Sequence, residues 1–450
     1  MFKAIANIIA IPDLRRRVAF TLMALAIYRI GFWIYLPGIR VDVIQDALAD
    51  GPDSGGGILQ FIGMTSMLTG GNLRNATVFS LGIMPYISAS IIFSLMTKVF
   101  PRLEELQKEG ESGRKVIARW TRYSTVLFCL LQGILVHTAI NSPDFLGNGV
   151  AVSEGGFVLG VLQVMVLTCG TLFLMWLGEK ITENGIGNGI SLMIMAGIVS
   201  YLPSSIPQFS ATWKLLGVDE KPFYVLKIAS LLGLFFAIVA AVVYITKGQR
   251  RIPIQNARTV KGAGSQRHYM PIRVNSAGVL PIIFAQSLLM VPSLGLAMIP
   301  GAEAFAALLQ AGTFWYLMLY VGMIGFFTYF WTSLYYNPVE IADNMKEHGS
   351  FVPGIRPGRK TAEYLQQVFA RITLAGAVFL AVIALIPQLL SLGGTGASSV
   401  TQMMGGTAIL IVVGVALDLV DKIEAQLLAR QYEGFVAPRK GRSGAASRDR

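Results

Sequence analysis

The residue types that most often carry catalysis or bind metals are few and scattered in this chain. Its three histidines, at 137, 268 and 348, have no ligand-like spacing to one another or to any Cys, Asp or Glu. Cys129 and Cys169 both fall in apolar segments, where core packing is the expected role and a disulfide framework is not. A Gly-x-x-x-x-Gly-Lys phosphate-binding loop is absent from the sequence. The sequence therefore predicts no catalytic residue, no metal site and no cofactor, and indicates that the chain is not an enzyme.

The composition is that of an integral membrane protein. Of the 450 residues, 54% are hydrophobic and 14% are charged, whereas soluble domains carry about 25% charge. A helical span needs ~20 apolar residues. The first span lacks the short apolar core and cleavage site of a removable signal peptide. The predicted spans are ten in number: 18–36, 76–97, 117–138, 156–177, 185–202, 224–246, 274–292, 312–336, 368–388 and 404–424.

Positive charge is concentrated on one side of this predicted topology. Of the 37 Lys and Arg residues, 27 lie before the first span, after the last span, or in the even-numbered connections between spans, and four more lie at the adjoining ends of spans, which makes 31 on one side. Cytoplasmic segments of membrane proteins carry this excess. The distribution predicts a multi-pass membrane protein with both termini in the cytoplasm.

A sequence motif recurs in the two halves of the chain. Ser80–Ser90 (SLGIMPYISAS) matches Ser276–Gln286 (SAGVLPIIFAQ), with Gly and Pro three residues apart in both. Since five spans make up each half, the second copy enters the membrane in the opposite direction, as an inverted repeat requires. We predict one membrane domain over 1–432, with halves of about 1–205 and 206–432. The basic residues 433–450 are predicted to form a disordered cytoplasmic tail.

Three connections between spans have features of their own. Ile58–Asn75 is apolar but too short to cross a bilayer, so it is either an interfacial helix or a re-entrant segment surrounded by protein. Lys247–Arg273 contains Pro253 and alternating apolar residues, which favour an extended arm or hairpin. In Asn337–Arg371, two Pro-Gly turns are expected to hold Arg356 at a loop tip.

Motifs spread over nearly the whole chain resemble the bacterial SecY family, the main subunit of a protein-conducting channel. The matching stretches are YRIG (28–31), LPG (36–38), LGIMPYISASII (81–92), ITENGIGNGIS (181–191), RRIPIQ (250–255), FVPGIRPG (351–358) and GGT (405–407). The resemblance implies an all-α membrane protein with ten transmembrane helices. These form two inverted five-helix halves, arranged as a clamshell around a central pore. The implied function is passage of unfolded secretory proteins across the inner membrane, with lateral release of apolar segments into lipid.

The resemblance also implies roles for individual residues. The pore ring falls on six isoleucines: Ile83, Ile87, Ile190, Ile194, Ile283 and Ile411. A plug that closes the outer side falls on the short apolar segment, at Ile58, Phe61, Met64, Met67, Leu68 and Asn75. The two Gly-x-x-Pro copies, Gly82 with Pro85 and Gly278 with Pro281, are expected to weaken the second and seventh helices beside the ring. Basic loop residues are expected to bind cytoplasmic partners: Arg250, Arg251, Arg258, Lys261, Arg267 and Arg356.

An aliphatic ring suits a pore that must pass any sequence. Such side chains offer no specific ligand, and they exclude water when the ring is closed. Because the chain has no nucleotide-binding loop, the energy for transport must come from partners. The resemblance implies the SecA motor and the ribosome, whose RNA phosphates would attract the basic loops, with SecE and SecG as small membrane subunits. Signal peptides, nascent chains and the lipid bilayer complete the expected partners.

Two other classes of membrane protein remain open at this stage. A secondary transporter also uses inverted repeats, but it usually places ionisable residues inside its spans. Here Arg29 is such a residue, and it is expected to pair with a nearby carbonyl or carboxylate. Asp418, Asp421 and Glu424 lie toward the end of the last span. A structural scaffold or insertase is the second alternative, and it would not need the ring.

Overall fold

The computed structural model describes residues 11–39, 77–141, 156–201, 221–256, 268–297, 308, 313–392 and 406–436. Twelve α-helices and three short strands are assigned within these ranges. In the first half the helices are α1 Pro12–Ile30, α2 Met84–Val99, α3 Pro101–Lys108, α4 Glu111–Asn141, α5 Gly156–Asn184 and α6 Gly189–Tyr201. In the second half they are α7 Lys221–Lys247, α8 Leu280–Ala297, α9 Phe314–Tyr335, α10 Pro338–Glu347, α11 Arg359–Leu392 and α12 Gly406–Val436.

A helix lies at each of the ten predicted spans, while α3 and α10 belong to the connections. Within the described ranges, α5, α7, α9 and α11 each contain a stretch long and apolar enough to cross a membrane by length and composition. The apolar helices α2 and α6 are shorter. Two predicted boundaries are wrong: the helices of the second and seventh spans begin later than expected, at Met84 and Leu280. Helix α11 contains the predicted ninth span and extends beyond it, from Arg359.

Each half of the chain has its own hydrophobic core. In the first half, buried side chains of α1, α5 and α6 pack together with Phe79 and Ile83, around Tyr28 and Leu174. In the second half, α7, α8, α9, α11 and α12 meet around Tyr320 and Ile324, which are among the most completely buried side chains. Each core also receives side chains from the other half: Val415 and Leu419 of α12 pack against the first, and Ile91 of α2 packs against the second.

The connections on the predicted cytoplasmic side fold into a unit that we call the loop module, comprising 249–256, 268–273 and 336–372. Strands β1 Gln249–Asn256 and β2 His268–Arg273 pair as an antiparallel hairpin, which confirms the extended arm predicted there. Strand β3 Ser350–Phe351 pairs with the end of β1, giving the order β2-β1-β3. Helix α10 was not predicted. Its Asn337 cap accepts a hydrogen bond from the Val339 N–H, and Pro338 suits the first helical position.

The loop module has a small core of its own, so it is a packed extension of the helices. Ile252 and Ile272 from the hairpin contact a cluster that includes Met345 of α10 and Leu365 and Phe369 of α11. This core joins the first turns of α11 to the hairpin. The charged residues of the described loop module therefore lie on a folded surface rather than on a simple basic linker.

Two further expectations need correction. Cys129 is buried as predicted, but Cys169 is exposed on α5, so core packing is the wrong role for it. Helix α12 continues to Val436, so the start of the predicted 433–450 tail is helical; residues 437–450 lie outside the described part of the chain.

Candidate functional site

A small apolar cluster lies where the two halves meet. Its buried members are Met84, Ile283 and Ile411, and five partly buried side chains pack against them: Ile87, Ile194, Ile198, Val279 and Val415. We call these eight residues the central cluster. Four helices contribute: α2 and α6 from the first half, and α12 and the start of α8 from the second. All eight side chains are apolar, so the cluster offers no side-chain hydrogen-bond donor or acceptor.

The sequence repeat is also a structural repeat, and it positions two sides of the central cluster. Gly82 and Gly278 occupy equivalent places and have φ values of 56° and 63°, a left-handed conformation that glycine adopts at low cost. Both turn the chain immediately before a helix begins. The repeat makes Ile87 equivalent to Ile283, and both donate a backbone hydrogen bond to the residue four positions earlier. Both belong to the central cluster.

These turns correct the expected role of the Gly-x-x-Pro motif. The glycines were expected to weaken continuous helices, but each lies before the first helical residue. Pro85 and Pro281 occupy the first turn of α2 and α8, where a missing N–H leaves no intrahelical bond unmade. The segment before α2 is held instead by strand-like contacts: Thr77 bridges Tyr35, and the Val78 N–H donates to the Ile34 carbonyl, 2.9 Å away.

The glycine-rich segment after α5 positions α6. Asn188 caps α6, because its Oδ1 accepts from the N–H groups of Ile190 and Ser191 at 3.1 and 3.4 Å. Thr182 Oγ1 accepts from the Gly189 N–H at 2.9 Å. Gly189 lies so close to α5 that a β-carbon there would be 2.1 Å from the Gly178 carbonyl oxygen. The motif therefore fixes a tight α5–α6 turn, which brings Ile194 to the central cluster.

The structure separates the six predicted ring residues into two groups. Ile87, Ile194, Ile283 and Ile411 belong to the central cluster. Ile83 is 6% exposed in the first-half core, and Ile190 packs against the same core, beside Gly178 of α5. Neither of these two is a member of the central cluster; each precedes a member, Ile87 or Ile194, by four residues. The other four isoleucines lie in the central cluster, which takes side chains from both halves.

Sequence reasoning did not predict Met84 as a member of this site. It is buried with Ile283 and Ile411, although its equivalent in the second half, Leu280, packs with the second-half core. The available signal was its position between Ile83 and Ile87 in the first copy of the repeat. A methionine there is suited to an irregular contact, since its side chain is flexible.

Other predicted site residues lie outside the central cluster or outside the described residues. The six plug positions, Ile58, Phe61, Met64, Met67, Leu68 and Asn75, are outside the described part of the chain, as are Arg258, Lys261 and Arg267. Arg250, Arg251 and Arg356 are exposed on the loop module. Gly354 and Gly358 on either side of Arg356 have positive φ, and the Arg356 carbonyl accepts from Thr361 Oγ1 at 2.9 Å.

The charged groups with described contacts lie on other elements. The guanidinium of Arg29 lies 4.7 Å from the Phe32 ring centroid, a cation–π contact, and its pairing with a carbonyl or carboxylate stays a prediction. Arg122 forms a bidentate ion pair with Glu179, at 3.0 and 2.8 Å, joining α4 to α5. In the ranges that the structure describes, no group of three His, Cys, Asp or Glu side chains could hold a metal ion. Apolar side chains that meet across a narrow passage exclude water from it, so the central cluster could close a path between the two halves.

Comparison with known proteins gives relatives over almost the whole chain. The SecY family pattern matches residues 77–420. Protein translocase subunit SecY of Thermotoga maritima is 41% identical over 443 residues, which cover 97% of this chain and 98% of that protein. A solved protein-conducting channel aligns with a TM-score of 0.63 at 18% identity, over 95% of both chains. The Sec61 channel in a canine ribosome–channel complex from the endoplasmic reticulum aligns at 0.60 and 17%, also over 95% of both chains.

Proposed function

The chain belongs to the SecY family and is a multi-pass membrane protein that forms a protein-conducting channel, and from this premise we propose where its pore closes. Ile87, Ile194, Ile283 and Ile411 form the closing collar, with Met84 beside them. Ile83 and Ile190 support this collar from the first-half core. A polypeptide in transit would separate the two halves and occupy the space between these side chains.

One observation carries this proposal: the central cluster takes its side chains from both halves and from four different helices. A residue in the core of one half would be buried whether or not the halves separate. When the halves separate, a residue of the central cluster loses the neighbours that the opposite half supplies. The contact is apolar throughout, so it closes against water and ions without offering a site at which a passing chain would be held.

The direction of opening follows from which helices carry the collar. The repeated turns place α2 and α8 with one end at the collar, and Ile91 of α2 packs against the second-half core. Parting α2 from α8 would open a path from the collar to lipid. An apolar segment of about 20 residues could leave by this path and enter the bilayer by its own transfer free energy.

The chain is proposed to be a non-enzyme that relies on partners for energy. We place it in the bacterial inner membrane with both termini in the cytoplasm, because 31 of its 37 Lys and Arg residues lie on one side of the ten spans. Arg250, Arg251 and Arg356 would then face the cytoplasm on the folded loop module. They are proposed to contact the SecA motor or the ribosome, with SecE and SecG completing the membrane complex. The segment Ile58–Asn75 is proposed as the plug.

A reversible lock across the collar tests the proposed function. Cysteines at Ile87 and Ile283, in a background without Cys129 and Cys169, can be joined by a short thiol crosslinker that a reductant cleaves. Joining α2 to α8 should stop a precursor from crossing reconstituted vesicles, and reduction should restore transport.

The matched control joins two helices within one half. A β-carbon at Gly133 of α4 would lie 3.2 Å from a side-chain carbon of Val164 of α5, so cysteines at these positions are also within crosslinking distance. Transport should continue through this crosslinked channel. If the channel locked at 87 and 283 transports precursor at the parent rate, the collar lies elsewhere.

A further inference from the structure

A buried glutamine in a predicted apolar span joins three elements of the first half. Gln163 of α5 is only 1% exposed. Its Nε2 donates to the Pro37 carbonyl at 3.0 Å, and its Oε1 is 2.8 Å from Nδ1 of His137 on α4. A carbonyl can only accept, so the amide must present its NH₂ group to Pro37. The amide oxygen then faces His137, which must donate from Nδ1.

The Pro37 carbonyl lies in the turn that leads away from α1. The next residue, Gly38, packs tightly against α5, since a β-carbon there would be 2.6 Å from a side-chain carbon of Leu159. Three residues before Pro37, the Ile34 carbonyl accepts from Val78, and Tyr35 forms an antiparallel bridge with Thr77. Gln163 therefore holds one strand of a junction whose other strand leads into α2.

The second strand of this junction continues directly to the collar. After Val78, the Phe79 ring stacks with Tyr28 and Phe173, at centroid distances of 6.4 and 6.0 Å. Gly82 then turns the chain into α2, where Met84 and Ile87 belong to the central cluster. A displacement of the junction would thus be passed to the first turn of α2 over a short, packed segment.

We propose that Gln163 is a positioning residue of the closed channel. Its hydrogen bond to the Pro37 carbonyl fixes the Tyr35–Thr77 junction, and the junction fixes the side of the collar that α2 supplies. The inference rests on the proposed function, because it assigns Gln163 an effect on the collar without contact with it.

Two substitutions remove both hydrogen bonds of this side chain. Gln163→Leu shortens it, whereas Gln163→Met keeps its length and flexibility but has no N–H to donate to the Pro37 carbonyl. Each variant should raise the resting ion flux of the reconstituted complex roughly two- to tenfold, the change expected from losing the hydrogen bond to the Pro37 carbonyl in a two-state equilibrium.

A disulfide that restores the Tyr35–Thr77 junction can distinguish a positioning role of Gln163 from general destabilisation of the protein. Facing residues of an antiparallel pair have Cα atoms about 4.5–5.5 Å apart, within the range of a disulfide. Cysteines at Tyr35 and Thr77, in a background without Cys129 and Cys169, should therefore form a bond that restores the junction. In a Gln163→Leu channel, oxidation should return the flux to near the parent level and reduction should raise it again. The Tyr35→Cys single variant should show no redox response.

Three results would overturn the inference: parent-level flux in both Gln163 variants, flux that the disulfide leaves high, or a loss of assembled complex that accounts for the change. Ile411→Asn in the same vesicles separates this failure from failure of the proposed function. If Ile411→Asn leaks and the Gln163 variants do not, only the positioning role is wrong. If Ile411→Asn does not leak either, the collar itself is wrong.

Discussion

Replacing Ile411 with Asn should open the channel rather than inactivate it. Ile411 is 2% exposed and is a buried member of the central cluster. The other side chains of the central cluster are all apolar, so none of them could form a hydrogen bond with a new amide in the closed state. The substitution tests whether this burial belongs to a closed gate or to a permanent core.

The magnitude follows from two contributions in the closed state. Loss of isoleucine burial costs about 1.5–3 kcal/mol, and an unpaired buried amide adds about 1–3 kcal/mol. In the open state the position is hydrated, so water can satisfy the amide and much of this cost disappears. A difference of only ~1.4 kcal/mol between the two states shifts their ratio tenfold. The open state should therefore be populated without a signal peptide.

The assay is export of a reporter with a defective signal sequence, together with ion flux through reconstituted vesicles. Ile411→Asn should increase both. Ile411→Leu keeps an apolar side chain of similar volume and should change neither.

The sharper control lies two residues earlier on the same helix. Ile409 is 6% exposed, but it belongs to the second-half core rather than to the central cluster. Ile409→Asn should reduce the amount of assembled complex without raising flux per channel. The reasoning fails if Ile409→Asn leaks as much as Ile411→Asn, or if Asn and Leu at position 411 both abolish export.

Other changes test the turns, the cap and the partner surface. Gly278→Ala should lower the free energy of unfolding of the complex by about 1–2 kcal/mol, because φ is 63° although there is space for a β-carbon. Gly278→Asn should lower it less, and equal losses in the two variants would refute the conformational explanation. Asn188→Ala should destabilise the start of α6 by ~1 kcal/mol, which hydrogen exchange of the first helical amides would measure. Asn188→Ser keeps a capping oxygen and should keep the protection; equal protection in the Ala and Ser variants would exclude the cap. Arg356→Glu should impair secretion at unchanged complex abundance, while Lys346→Glu on α10 should not; a loss that follows abundance would make Arg356 only a topological charge.

The fold could be predicted because its main determinants are local and repeated. Apolar runs identified ten helices, and the two copies of Gly-x-x-Pro identified the equivalent turns before α2 and α8. The residues at which the helices begin were harder to predict from the sequence. Whether Gly82 lies inside a helix or before it depends on the Tyr35–Thr77 bridge, a contact between residues 42 positions apart that no local pattern encodes.

The site was predictable in part for a similar reason. Motif matching identified six isoleucines, but only the packing shows that Ile87 reaches the central cluster while Ile83, four residues earlier, is buried in the first-half core. The role of Gln163 could not be predicted from the sequence, where it is one of a few polar residues in an apolar span. Its partners, Pro37 and His137, reach it only because the turn after α1 and the helix α4 both pack against α5.

The most direct test of the proposed collar is site-specific photocrosslinking of one stalled secretory chain. Photoreactive residues at Ile87, Ile194, Ile283 and Ile411 should all crosslink to the same short region of the stalled chain, because four helices surround it at one level. Val378, which is exposed on α11, serves as the lipid-facing control and should crosslink weakly or not at all. Crosslinks at Val378 that equal those at the four isoleucines, or a stalled chain that reaches none of the four, would contradict the account.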